Sequence, residues 1–149
     1  LASGDIDMTI STRDAPGLSS FVVRTSPTVW ICAANFPFSR GATLPLILAD
    51  EPSIFRRLAL TALAQSQTQW RINYLAPSLA GIKAAVRAGL GVTARSVEVL
   101  GPDMRVLAES EGLPALPLVT YRLLTRKDTI NPLVLHIFEM LRTQFENTV

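Results

Sequence analysis

The sequence predicts an α/β protein with a mostly parallel sheet, and three observations support that expectation. Strand-like and helix-like segments alternate along most of the chain. Leu44 to Ala49 is a short, continuous apolar run, which suits a strand buried on both faces. From Leu44 to Arg95, the segments between successive strand candidates are long enough to hold the crossover helices that join parallel neighbours.

Asp5 to Ile10 alternates polar and apolar residues and reads as a strand with Ile6, Met8 and Ile10 on one face. Arg13 to Ser20 contains Pro16 and Gly17 and reads as a loop. Phe21 to Arg24 and Thr28 to Ala34 are rich in β-branched and aromatic residues, which favours strand, before Pro37 and Gly41 break the chain. A first helix follows Leu44 to Ala49. Asp50-Glu51-Pro52-Ser53 supplies capping candidates and a proline at an early helical position, and Phe55, Leu58, Ala59, Ala62 and Leu63 recur at helical spacing.

A second helix starts from Ser78 as N-cap. Leu79, Ile82, Ala85, Val86 and Leu90 form its apolar stripe, Lys83 and Arg87 lie opposite, and Gly89 and Gly91 stop it. The third starts at Asn131-Pro132, with Val134, Ile137, Phe138, Leu141 and Phe145 facing inward. Between the helices, Arg71 to Leu75, Val92 to Arg95 and Val119 to Thr125 are strand candidates. Gly112 to Pro117 reads as an extended connector.

Composition narrows the function classes. The chain has 149 residues, 48% of them hydrophobic and 17% charged, which is ordinary for a folded domain and too apolar for a disordered one. Its apolar runs fall well short of the roughly 20 residues a membrane span requires. The start, Leu1-Ala2-Ser3-Gly4, is unlike a signal peptide and reads as the edge of a piece cut from a longer chain. Net charge is only +2 despite a pI near 9.1, and Arg56-Arg57 and Arg126-Lys127 are the only adjacent basic pairs. Phosphate-backbone binding needs cations converging on one face, so the chain carries no nucleic-acid footprint.

Cys32 is the single cysteine and His136 the single histidine. Together they exclude an internal disulfide and a Cys/His zinc site within one chain. Cys32 fits a buried strand position and His136 a partly exposed helix position. No nucleophile signature accompanies His136, and Gly89-Leu90-Gly91 is a helix stop rather than a phosphate-binding loop. No enzyme is expected, and no cofactor or metal.

Trp70-Arg71-Ile72-Asn73-Tyr74, followed by Ser78-Leu79-Ala80-Gly81-Ile82-Lys83-Ala84-Ala85-Val86-Arg87-Ala88-Gly89-Leu90-Gly91-Val92-Thr93, resembles the effector-domain pattern of LysR-type transcriptional regulators. That pattern is a strand, a serine-capped helix ending in V-x-x-G-x-G, and another strand. Gly4-Asp5-Ile6-Asp7-Met8-Thr9-Ile10 resembles the family's first strand here, and Glu111-Gly112-Leu113-Pro114 precedes the return strand as the family places it. The stretches around Leu44 to Leu48 and Trp70 to Ile72 also resemble a branch known for repressing motility and virulence genes.

The resemblance implies a type 2 periplasmic-binding-protein-like fold: two α/β lobes with mostly parallel sheets and a ligand cleft between them. Lobe I would comprise residues 1–26 and 116–149 and be incomplete, and lobe II residues 28–112. The DNA-binding helix-turn-helix would be absent from this chain. A cytoplasmic bacterial regulator is implied, homo-oligomeric at full length, with DNA contacted only through the missing N-terminal domain and no membrane partner. The alternative is a solute-binding protein fragment of a transporter, which shares the fold class.

Ligands of doubly wound sheets bind beyond the carboxyl ends of the strands, where helix N-termini converge. Ser78 and Leu79, through hydroxyl and backbone N–H, are therefore the expected anchor for a small, anionic effector, with Thr93 and Asp50 as secondary candidates. Plain helix capping is the competing role for Ser78, and ordinary structural roles compete for Asp50 and Thr93. Trp70 is expected to pack against its strand, while Trp30 could pack or stack on a ligand.

Overall fold

The computed structural model describes residues 4–13 and 15–146. The first residues of the expected lobe I (1–3), Asp14 within the expected loop, and 147–149 lie outside the described residues. The chain divides into two compact units: Leu1–Thr25 with Val119–Val149, and Ser26–Leu118.

Among the described residues, the first unit is a three-stranded sheet covered by one helix. Its strands are β1 (Met8–Ser11), β2 (Leu18–Ser26, the last residue of which falls in the second unit) and β8 (Val119–Arg126), in the order β1-β8-β2. β1 and β8 pair antiparallel, with Met8 opposite Thr125, and the Thr125 hydroxyl donates to the Asp7 carbonyl at 2.9 Å. Helix α3 (Pro132–Glu146) starts where Asn131 Oδ1 accepts from the Leu133 N–H, so the cap-then-proline reading describes the local geometry. It buries Val134 and Phe138; Phe138 meets Phe21 of β2 edge to face, with ring centroids 5.2 Å apart. Of the three residues expected on one face, Met8 packs against the cluster of Phe21, Leu123 and Phe138, whereas Ile6 and Ile10 are half or more exposed.

The second unit is larger. Its elements are β3 (Thr28–Ala33), β4 (Leu44–Ala49), α1 (Ile54–Ala64), β5 (Trp70–Ala76), α2 (Leu79–Arg87), β6 (Thr93–Ser96) and β7 (Met104–Leu107). β4 and β5 pair parallel, and β4 is joined to the β6 side through the parallel bridge between Leu46 and Val92. β3 then lies between β6 and β7 and runs antiparallel to both. The order across the unit is therefore β5-β4-β6-β3-β7, with β3 the reversed strand.

The expectation of mostly parallel sheets is thus corrected: the ladders are mostly antiparallel. The physical reason lies in β3. All of its residues but one are buried, so its composition is that of a strand covered on both faces, whichever way its neighbours run. Inserted in reverse between β6 and β7, it makes both of its ladders antiparallel, and β1 with β8 adds another. The parallel core expected from Leu44 to Ala49 exists, but it is confined to β4, β5 and the entry to β6.

Helices α1 and α2 both pack on this sheet. Ala59 and Leu63 of α1 join Trp30, Leu44, Leu46 and Leu107 in one apolar cluster; Ile82, Ala85 and Val86 of α2 join Ile31, Ile47 and Met104 in another. Gly91 is required where the chain returns after α2: a Cβ there would sit 2.5 Å from the Pro45 carbonyl oxygen, which accepts the Val92 N–H at 2.8 Å.

Candidate functional site at the carboxyl edge of the second unit

Because β4, β5 and β6 run the same way, their carboxyl ends share one edge, and both helix N-termini open there. The Asp50 N–H donates to the Ala76 carbonyl at 3.2 Å, tying the ends of β4 and β5 together. Ser53 caps α1: its backbone is extended and its Oγ accepts from the Arg56 N–H at 3.3 Å. Ser78 caps α2 in the same way, accepting from the Gly81 N–H at 3.2 Å. Neither helix has an acidic residue in its first turn, so the positive ends of both dipoles are uncompensated from within.

Two arginines add charge to this edge. Arg56 Nη1 donates to the Ala49 carbonyl at 3.2 Å, and its Nε lies 3.3 Å from the Glu51 carboxylate. The Arg95 guanidinium stacks on the Phe55 ring, 4.3 Å from its centroid. On the β3 side, the buried Ser26 hydroxyl donates to the Glu98 carboxylate at 2.6 Å. Backbone donors, two guanidinium groups and acceptor carboxylates therefore occupy one rim.

The structure brings Asp50, Ser78 and Leu79 to this edge, all of them exposed at the surface. Thr93 does not reach the surface: it is 2% exposed, at the start of β6 opposite Ile31. Ser53, Arg56 and Arg95 were not singled out by sequence reasoning. The cap signal in Asp50-Glu51-Pro52-Ser53 marked the helix start, but the location of Arg95 at the carboxyl end of β6 depends on strand register.

Trp30 is buried and its indole N–H donates to the Pro114 carbonyl at 2.8 Å, so it packs. Trp70, expected to pack, is 40% exposed on β5. Cys32 is buried, and burial pushes its thiol above the ordinary value, which suits a small apolar filler rather than a nucleophile. His136 is exposed on α3. Among the described residues, no group of His, Cys, Asp and Glu side chains is arranged to hold a metal ion, and no helix is long and apolar enough to cross a membrane.

Comparison with known proteins agrees with this architecture. Residues 1–146 match the family described as LysR substrate binding domain. The chain is 44% identical over 143 residues to the HTH-type transcriptional regulator PecT of Dickeya dadantii (strain 3937), covering 96% of this chain and 45% of that protein. It is 26% identical over 114 residues to the HTH-type transcriptional regulator DgdR of Burkholderia cepacia, covering 76% of this chain and 39% of that one. The chain thus spans less than half the length of these relatives.

Among solved structures, the bromide ion-bound regulatory domain of HypT from Salmonella typhimurium superposes with a TM-score of 0.82 at 15% identity, over 99% of this chain and 76% of that one. The regulatory domain of CcmR from Synechocystis PCC6803, in complex with 2-PG, superposes with a TM-score of 0.78 at 15% identity, over 98% of this chain and 76% of that one. At such identities these structures establish the shared fold. The family match sets aside the transporter alternative. By its matched residues and its fold, the chain belongs to the LysR substrate-binding domain family, the effector-binding regulatory domains of LysR-type transcriptional regulators, and to no enzyme family.

Proposed function

We propose that the second unit senses a small anionic molecule at its carboxyl edge. The observation that carries this reading is the pair of serine-capped helix N-termini, α1 and α2, opening at the same sheet edge with no acid in either first turn. Backbone N–H groups and the dipole at such an end favour a carboxylate or phosphate group. Ser78 offers its hydroxyl and Leu79 its N–H. Asp50, an acceptor only, would receive a hydroxyl or amine of the same ligand. Thr93, beneath the surface, would support the edge rather than touch the ligand. An ion-bound HypT domain and a 2-PG-bound CcmR domain share the fold, which is consistent with small effectors in this architecture.

In the longer protein to which relatives such as PecT correspond, effector binding would shift the population between two arrangements of the regulatory domain. Only the difference in affinity for the two states could move that equilibrium. DNA would be contacted by an N-terminal helix-turn-helix outside this chain, in a cytoplasmic homo-oligomer. Calorimetric titration of benzoate, acetate and inorganic phosphate into the parent and Ser78→Ala tests the site. Weaker binding by the variant is expected; equal affinity would remove Ser78 from it. A gel shift of DNA by this chain alone at low salt would contradict the assignment of DNA contact to another domain.

A further inference from the structure

Within the second unit, α1 and the connector after β7 enclose a groove of about 640 Å³ that the carboxyl-edge site does not use. Small-molecule sites typically span about 300–1,000 Å³. The walls are mostly apolar, with Ile54, Leu58 and Ala62 from α1 and Pro114 and Pro117 from the connector, and the uncharged polar Thr61 and Gln65 line them as well. The connector is held in place rather than loose. Trp30 Nε1 donates to the Pro114 carbonyl, and Leu116 packs against the cluster that contains Trp30, Leu46 and Leu63. The groove therefore has a rigid helix on one side and an anchored proline-rich strap on the other.

Its charge is one-sided. Arg57 stands on the lining, exposed, and no carboxylate pairs with it among the described residues, whereas its neighbour Arg56 is engaged by Glu51 and the Ala49 carbonyl. Among the described residues no acid lines the groove, and α1 has none in its first turn. An apolar trough with one unpartnered guanidinium matches a molecule with an apolar body and one carboxylate.

We infer that this groove is a second ligand site, for a small amphipathic carboxylate, seated between α1 and the Pro114–Pro117 strap. It is independent of the carboxyl-edge reading. Because the strap runs directly into β8 at Val119, an occupant would brace the segment by which the chain leaves this unit.

The test uses 4-phenylbutyrate and its uncharged counterpart 4-phenylbutanol, titrated into the ¹⁵N-labelled chain and followed by amide shifts. The acid should give saturable shifts over Ile54 to Gln65 and at the Trp30 indole N–H, and should bind about tenfold more tightly than the alcohol, as loss of one charge-assisted hydrogen bond implies. Arg57→Gln should erase that preference, Arg57→Lys should keep most of it, and Ser78→Ala should leave it unchanged. Equal binding of acid and alcohol to the parent would overturn the inference. So would an unchanged preference in Arg57→Gln, shifts that never saturate, or shifts centred on Asp50 and Ser78 instead.

Discussion

Single side chains set local geometry here by satisfying backbone groups that would otherwise lack partners. Ser78 accepts the Gly81 N–H, one of the donors that every helix start leaves free. Replacing a serine cap by alanine costs on the order of 1 kcal/mol. Ser78→Ala should therefore lower the unfolding free energy from urea titration by about that amount whether or not a ligand binds, and a variant as stable as the parent would show that the cap carries no weight.

Glu111 is the other clear case. Its carboxylate accepts the Ala108 N–H at 2.9 Å and the Arg105 guanidinium at 3.1 Å, and these bonds, the backbone one foremost, hold its pKa below the ordinary 4.5. A carboxyl group with a lowered folded-state pKa stabilises the fold above its unfolded pKa and loses that contribution as pH falls through the folded one. Glu111→Gln should accordingly be less stable than the parent at pH 7, with the gap closing as the solution is acidified below the ordinary carboxylate range. Equal gaps in urea midpoint at pH 7 and well below the ordinary carboxylate range would sink the account.

At the scale of elements, the close approach of the α2–β6 return to β4 governs the second unit, because the Val92 N–H reaches the Pro45 carbonyl only if residue 91 lacks a side chain. Gly91→Ala would push a methyl group into backbone and should cost about 1–3 kcal/mol by chemical denaturation, as overpacking generally does. An unchanged midpoint would mean that β4 moves aside freely. Helix placement was legible from the sequence because caps and periodicity are local: Ser53, Ser78 and Asn131 each start a helix where their residue type predicts.

What depends on neighbours was not legible. β7 is short, with Arg105 interrupting its apolar residues, and no pattern announced it. The stripe expected on α2 extends too far, since Leu90 lies beyond the helix end at Arg87 and is 41% exposed. Strand direction is likewise absent from composition, so the reversal of β3 between β6 and β7 was not readable. At the site, Asp50 and Ser78 were readable as cap and strand-end signals, whereas the burial of Thr93 follows from β3 lying alongside it.

At the scale of the whole molecule, the two units differ sharply in how much apolar surface they bury internally. The second unit holds two clusters, one around Leu44, Leu46 and Leu63 and one around Ile31, Ile47 and Ile82, including side chains with no exposed surface at all. The first relies on Phe21, Leu123 and Phe138, with Met8, Val23, Leu141 and Phe145 partly buried around them. Exposed apolar side chains do not separate the units, since Ile130 and Leu133 stand open in the first and Leu75 and Leu118 in the second; the buried clusters do. Each fully buried large side chain contributes about 1.5–3 kcal/mol relative to an exposed one, so the deficit of the first unit amounts to several such terms. Regions with few buried apolar contacts open at lower free energy than the rest of a fold. Native-state hydrogen exchange should therefore split by unit. Amides of β3, β4 and α1 are expected to exchange only through the highest-energy opening, and those of β1, β8 and α3 through a lower one that a little denaturant already reveals. A single shared opening free energy, reached by Leu123 and Leu46 alike, would mean that the small aromatic cluster holds its unit as firmly as the larger core holds the other.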